Sequence, residues 1–158
     1  MKKVLKTIGW LLLIALIAIQ FFHPKKNIHE GVQPNAISKK FQVSADVKII
    51  LDKACMDCHS NNTRYPWYAN LQPVGWLLAK HIKDGKVALN FSEFSNYSER
   101  RQLSKLKAIR NSVKDGSMPI TAYTLMHRYA KLSTQNRALF LQWTLKIIDS
   151  LSSQTKRK

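Results

Sequence analysis

Cys55, Met56, Asp57, Cys58 and His59 place both cysteines of the chain in a single C-x-x-C-H pentapeptide. Two thiols at that spacing can each join a vinyl group of one haem, and the histidine beside the second thiol then reaches the iron. Three other chemistries use paired cysteines. A redox dithiol of the thioredoxin kind sits where a strand runs into a helix, and no βαβ pattern surrounds Cys55. A zinc site takes four thiolate or imidazole ligands, whereas the chain has two cysteines and Cys58 directly abuts His59. A disulfide between Cys55 and Cys58 stays open in an oxidising compartment. The expected cofactor is haem c, held covalently by Cys55 and Cys58, with His59 as the proximal iron ligand.

The second axial ligand is sought among soft and imidazole side chains. Met118 leads, because Asp115-Gly116 stops the helix before it and Pro119 stiffens the loop that carries it. A thioether suits haem iron, and a His/Met pair raises the reduction potential relative to two histidines. His81 and His127 are the alternatives, as is an open or water-bound site; Met118 as plain core filler is the bland reading. Close after the motif, Arg64, Trp67 and Tyr68 are expected to bind the cofactor. Arg64 and Trp67 would bond its propionates, and Pro66, Trp67 and Tyr68 would seal one edge with apolar surface.

These groups need elements to hold them, and the periodicity is helical throughout. Ser44 can cap a helix with Val47, Ile50, Leu51 and Ala54 on one face, running straight into the cysteines. Pro73 to Lys83 carries Val74, Leu77, Leu78 and His81 at helical spacing. Ser98 can cap a third helix, striped by Leu103, Leu106, Ile109 and Val113 and stopped at Asp115-Gly116. Ser133 or Thr134 can start a last one, with Leu139, Trp143, Ile147 and Leu151 on one face. The expected fold is all-α, a cytochrome c-like helical domain around one haem, preceded by an N-terminal transmembrane helix.

Residues 1–23 read as a membrane anchor or signal segment. Lys2, Lys3 and Lys6 precede a charge-free apolar run from Ile8 to Phe22, which reaches spanning length only if Lys6 snorkels. No A-x-A pattern marks a cleavage site, which favours an uncleaved anchor with the N-terminus in the cytoplasm. Residues 24–43, with Pro24, Gly31 and Pro34, read as a linker. The domain is expected over 44–152, followed by a basic tail at 153–158. The expected location is therefore the inner membrane, single-pass, with the domain in the periplasm.

Twenty-six Lys and Arg against nine Asp and Glu give a net charge of +17. No nucleic-acid recognition motif accompanies that charge. The basic residues read as solvated helix faces, able also to attract anionic headgroups or steer an acidic redox partner. No Ser/His/Asp or paired-carboxylate arrangement stands out, so neither an enzyme nor a small-molecule substrate is expected. Weak peroxidase activity would need an open iron site with His81 or His127 nearby.

Beyond the pentapeptide, the run C-x-x-C-H-S-N-x-T-x-Y-P-W-Y continues into Trp76 and His81, Asn90-Phe91-Ser92, Met118-Pro119, Tyr123, His127 and Trp143. This set resembles the small bacterial haem-binding domain family over 44–151. The resemblance implies covalent haem on Cys55 and Cys58, His59 as proximal ligand and electron transfer in the periplasm. Two function classes follow: a monohaem c-type cytochrome passing single electrons, or a haem module with an exchangeable sixth site that binds a ligand or senses redox state.

Overall fold

The structure is a computed structural model that describes residues 1–155; of the expected basic tail, Lys156, Arg157 and Lys158 lie outside the described residues. It is all-helical, with no strand among the described residues. In chain order the α-helices are α1 (Lys2–Ile19), α2 (Ile37–Lys40), α3 (Ala45–Ala54), α4 (Met56–His59), α5 (Val74–Ala88), α6 (Glu99–Asp115), α7 (Thr121–Met126) and α8 (Thr134–Thr155). Short 3₁₀ turns at Trp67–Asn70, Phe91–Asn96 and Arg128–Ala130 link them.

α3 begins where Ser44 takes an extended conformation and its hydroxyl accepts the Val47 N–H, satisfying one of the free donors of a helix start. Its apolar face, Val47, Ile50, Leu51 and Ala54, is buried. α6 buries Leu106, Ile109 and Val113 and ends at Gly116 with φ +82°, a left-handed turn that glycine adopts without strain. Ser133 Oγ accepts from Asn136 N–H at the start of α8. α6 packs on α8, α3 packs on α8, and α4 packs on α5. Phe91, Phe94 and Phe140 fill the centre.

α1 has no buried residue, and no helix among the described residues is long and apolar enough to cross a membrane. Its 18 residues, with Lys2, Lys3 and Lys6 inside the helix, rise about 27 Å against a hydrocarbon thickness of about 30 Å. The spanning helix expected from the sequence is thus not met by α1 as folded. The stretch expected as a linker, 24–43, lies along the domain. Ile37 joins the buried core, Asn27 donates to Ser60 O and Thr63 Oγ1, and Ser95 N–H donates to Asn35 O.

Candidate haem site

Cys55 closes α3 and opens α4. Its φ of −127° breaks the helix for one residue, while its carbonyl still accepts from the Cys58 and His59 N–H groups. The motif is therefore a tight turn rigidly continued from α3. On its far side α5 crosses at very close range. A Cβ on Gly85 would stand 2.6 Å from the Cys58 carbonyl oxygen, so only a bare α-carbon lets the helix approach this near. The C-terminal carbonyls of α5 are covered by the Lys105 ammonium, which bonds Val87 O and Ala88 O. The next residue, Leu89, directs its carbonyl to His59 Nδ1 at 2.9 Å.

That bond assigns the histidine. A ring nitrogen facing a carbonyl must carry the proton, so Nδ1–H donates and Nε2 keeps its lone pair for a metal. His59 is buried beside Phe91, ring centroids 6.3 Å apart. Burial holds its pKa below the ordinary histidine value, outweighing the opposing pull of the Leu89 and Gly85 carbonyls. A neutral imidazole with a fixed tautomer is what a haem iron accepts.

Cys55, Cys58 and His59 line one cavity of about 240 Å³ whose other walls are almost wholly apolar: Ala54, Ala88, Ile109, Val113, Ile120 and Leu132. Burial pushes the Cys55 thiol up to about 12, with Cys58 beside it adding to the rise; Cys58 rises to about 11 through burial and then the Asp57 charge. A redox dithiol needs the opposite, a depressed thiol pKa. Among the described residues no three His, Cys, Asp or Glu side chains converge as a metal cage. An iron here would therefore need a porphyrin to supply its remaining ligands, and an apolar cavity bearing two thiols and one free imidazole nitrogen fits that group.

Met118 and His81 both line the same cavity, half-buried. They reach it from different walls. His81 is on α5, the helix packed against His59's own element; Met118 is on the loop between α6 and α7, where its N–H donates to Ser112 O at 3.0 Å. His127 does not line the cavity. Tyr68 Oη lies 2.6 Å from its Nε2 and Tyr129 Oη 2.9 Å from its Nδ1, and its ring stacks on Tyr123 at 4.5 Å. Both nitrogens are thereby engaged by phenols.

Arg64, Trp67 and Tyr68 do not line the cavity either. Arg64 is held by Asp57: its Nε is 2.9 Å from Oδ1, and its backbone N–H also donates there. That carboxylate bond, ahead of the smaller burial effect, raises the Arg64 pKa further. Trp67 is 75% exposed, and Tyr68 is occupied with His127. Nearness in sequence to the motif did not carry these side chains to the slot.

Asp57 and Tyr123, to which the sequence assigns no role of their own, meet at the cavity wall. Asp57 is buried inside the pentapeptide and accepts from Tyr123 Oη at 2.6 Å as well as from Arg64; its carbonyl accepts from Thr63 Oγ1. It ties the loop after the motif and α7 to the turn that carries the thiols. Burial, then the bond to Asp57, raises the Tyr123 pKa above its ordinary value. The variable positions of C-x-x-C-H carry no signal of this kind; the scarcity of acids in so basic a chain was the available hint.

Comparison with known proteins agrees with the slot. The chain is 26% identical over 142 residues to cytochrome c peroxidase Ccp of Escherichia coli (strain K12), an alignment covering 84% of this chain and 29% of that protein. It thus spans under a third of the relative's length. No solved structure matches the chain. The family model described as "Haem-binding domain" matches residues 14–146, and with most of its length inside that match the chain belongs to the haem-binding domain family.

Proposed function

We propose that the chain is a c-type haem protein that passes single electrons, working at the outer face of the inner membrane. The observation that carries this reading is the fixed tautomer of His59: Leu89 O takes Nδ1–H and leaves Nε2 for iron, in a slot shared with both cysteines. Bound haem would supply a one-electron iron couple. Cys55 and Cys58 would hold it as thioethers, and His59 Nε2 and the Met118 thioether would be the side-chain groups offered to its iron. The apolar walls exclude water and favour the less charged, reduced state. α1, apolar and exposed along its length with three lysines at its start, engages the bilayer, and the basic surface steers an acidic redox partner. The protein acts as a carrier without a substrate of its own.

The test is a pyridine haemochrome assay on denatured protein made together with a cytochrome c maturation system. Wild type is expected to retain about one covalent haem per chain, and Cys55→Ser with Cys58→Ser to retain none while the helical content persists. Haem extracted from wild type by acid solvent would overturn the covalent reading and leave a non-covalent haem protein.

A second reading has its own support. The relative that shares 26% identity is a peroxidase by name, and the Met118 loop is half-buried, as an exchangeable sixth site would require. A methionine-to-iron charge-transfer band in the oxidised protein favours the carrier. Its absence, with ready carbon monoxide binding after reduction, favours the exchangeable site.

A further inference from the structure

The end of α1 is fastened to the domain at one place. Gln20 Nε2 donates to Gln72 O at 3.0 Å, Gln72 N–H returns a bond to Gln20 Oε1 at 2.9 Å, and Trp76 Nε1–H donates to Phe22 O at 2.7 Å. A helix held this way cannot swivel freely on its domain. The surface around the fastening is unusually apolar for an exposed region: Trp67 is 75% exposed, Leu71 49%, Leu77 52% and Val74 44%, with Phe22 beside them. Scattered exposed apolar residues are normal, but a contiguous group marks a contact. Lys25 and Lys26 follow Phe22 closely in the chain and are exposed, and they line a groove of about 740 Å³ together with Glu93 and with Lys83 and Lys86 on another face of α5.

We propose that this face is a second membrane contact, with Trp67, Leu71, Val74 and Leu77 seated in the headgroup region of an anionic bilayer and the exposed Lys25 and Lys26, next along the chain from Phe22, meeting lipid phosphates. The proposal rests on the reading that α1 engages a bilayer, because the fastening then sets the apolar patch at the same surface. Aromatic and aliphatic side chains flanked by lysines suit that boundary. Val74 and Leu77 also continue the stripe of α5 whose later members, His81, Gly85 and Ala88, line the haem slot. Val74 to His81 is about 10 Å along a helix. Docking would therefore hold the slot beside the membrane, facing a partner embedded in it rather than one diffusing far from it.

Hydrogen–deuterium exchange of the full holoprotein, with and without vesicles of phosphatidylcholine and phosphatidylglycerol, tests this alongside co-sedimentation. Wild type is expected to pellet with the vesicles and to show about tenfold slower exchange over 67–78, an effect that weakens in high salt. Leu71→Glu with Val74→Glu should still pellet through α1 yet lose the slowing; Val74 lies in the first turn of α5, where an acid is compatible with the helix. Pelleting of wild type with unchanged exchange overturns the docking and leaves the α1 reading intact. Failure of wild type to pellet overturns both. Slowing that appears without vesicles as protein concentration rises overturns it in favour of a second copy covering the patch.

Discussion

The two walls of the haem slot are built by different means. The wall with the thiols is backbone against backbone: α3 runs into the Cys55 turn, α5 presses on it at Gly85, and the Leu89 carbonyl fixes His59. The wall with Met118 is a loop that turns at Gly116, is held to Ser112 O by the Met118 N–H and the Ser117 hydroxyl, and runs into α7, whose Tyr123 lines the cavity with it. The first has almost no freedom to adjust, and the second has some. On the proposed reading, a wall that would carry the thioether bonds and a fixed histidine gains from rigidity, whereas a wall that would offer a sixth ligand can set how firmly that ligand holds.

Two glycines break the comparison most sharply. In Gly85→Ala the new methyl meets the Cys58 carbonyl oxygen at 2.6 Å and its Cβ at 3.1 Å. Backbone cannot swing aside as a side chain does, so α5 must shift, at a cost of about 1–3 kcal/mol. The shift would also lengthen the His59–Leu89 bond. Urea unfolding should show the loss, and the haem spectrum should report a disturbed His59. In Gly116→Ala the methyl meets only the flexible Arg137 guanidinium, no nearer than 3.5 Å, and the penalty is the left-handed backbone, about 1 kcal/mol. Equal losses would mean that the first wall is no more rigid than the second.

Met118→Ala sharpens the contrast spectroscopically. A half-buried methionine on a loop should cost about 1 kcal/mol when truncated, less than the 2–5 typical of full burial. The larger consequence falls on the iron: the methionine charge-transfer band disappears while covalent haem stays at the wild-type level. His81→Ala should keep the band. A band that survives in Met118→Ala and vanishes in His81→Ala would move the second ligand onto α5.

The rigid wall was the more legible of the two. Its apolar face repeats at helical spacing through Val47, Ile50, Leu51 and Ala54, and its cap is a local Ser44 bond; such features depend on neighbours within one turn. The Gly116 stop was legible for the same reason. Gly85, the Leu89 carbonyl and the Asp57–Tyr123 bond were not, because each depends on an element far away in sequence arriving at the motif. Trp67 and Tyr68 show the opposite case: they follow the motif closely, but Asp57 holds Arg64 and the following 3₁₀ turn at Trp67–Asn70 places them outside the lining of the slot. Spacing identified the chemistry; which other side chains attend it is a property of the packing.

The smallest expected effect lies in the aromatic support of the second wall. Burial lowers the pKa of His127, and Asp57 only partly opposes it, so the folded protein keeps the ring neutral between two tyrosine hydroxyls. The unfolded chain protonates its histidine near the ordinary value of about 6.5. Stability from this group is therefore present above that value and lost as pH falls from it toward the lower folded pKa. In protein made without haem, where this comparison is best run, His59, also lowered, drives the same trend, so the two must be separated by variant. In His127→Gln, the fall in urea midpoint between pH 7.5 and pH 5.5 should be shallower than in wild type, though the ring's partial exposure keeps the difference modest. An unchanged slope would assign the acid sensitivity to His59 alone, and the tyrosine pair would then hold the ring of His127 in place without holding it neutral.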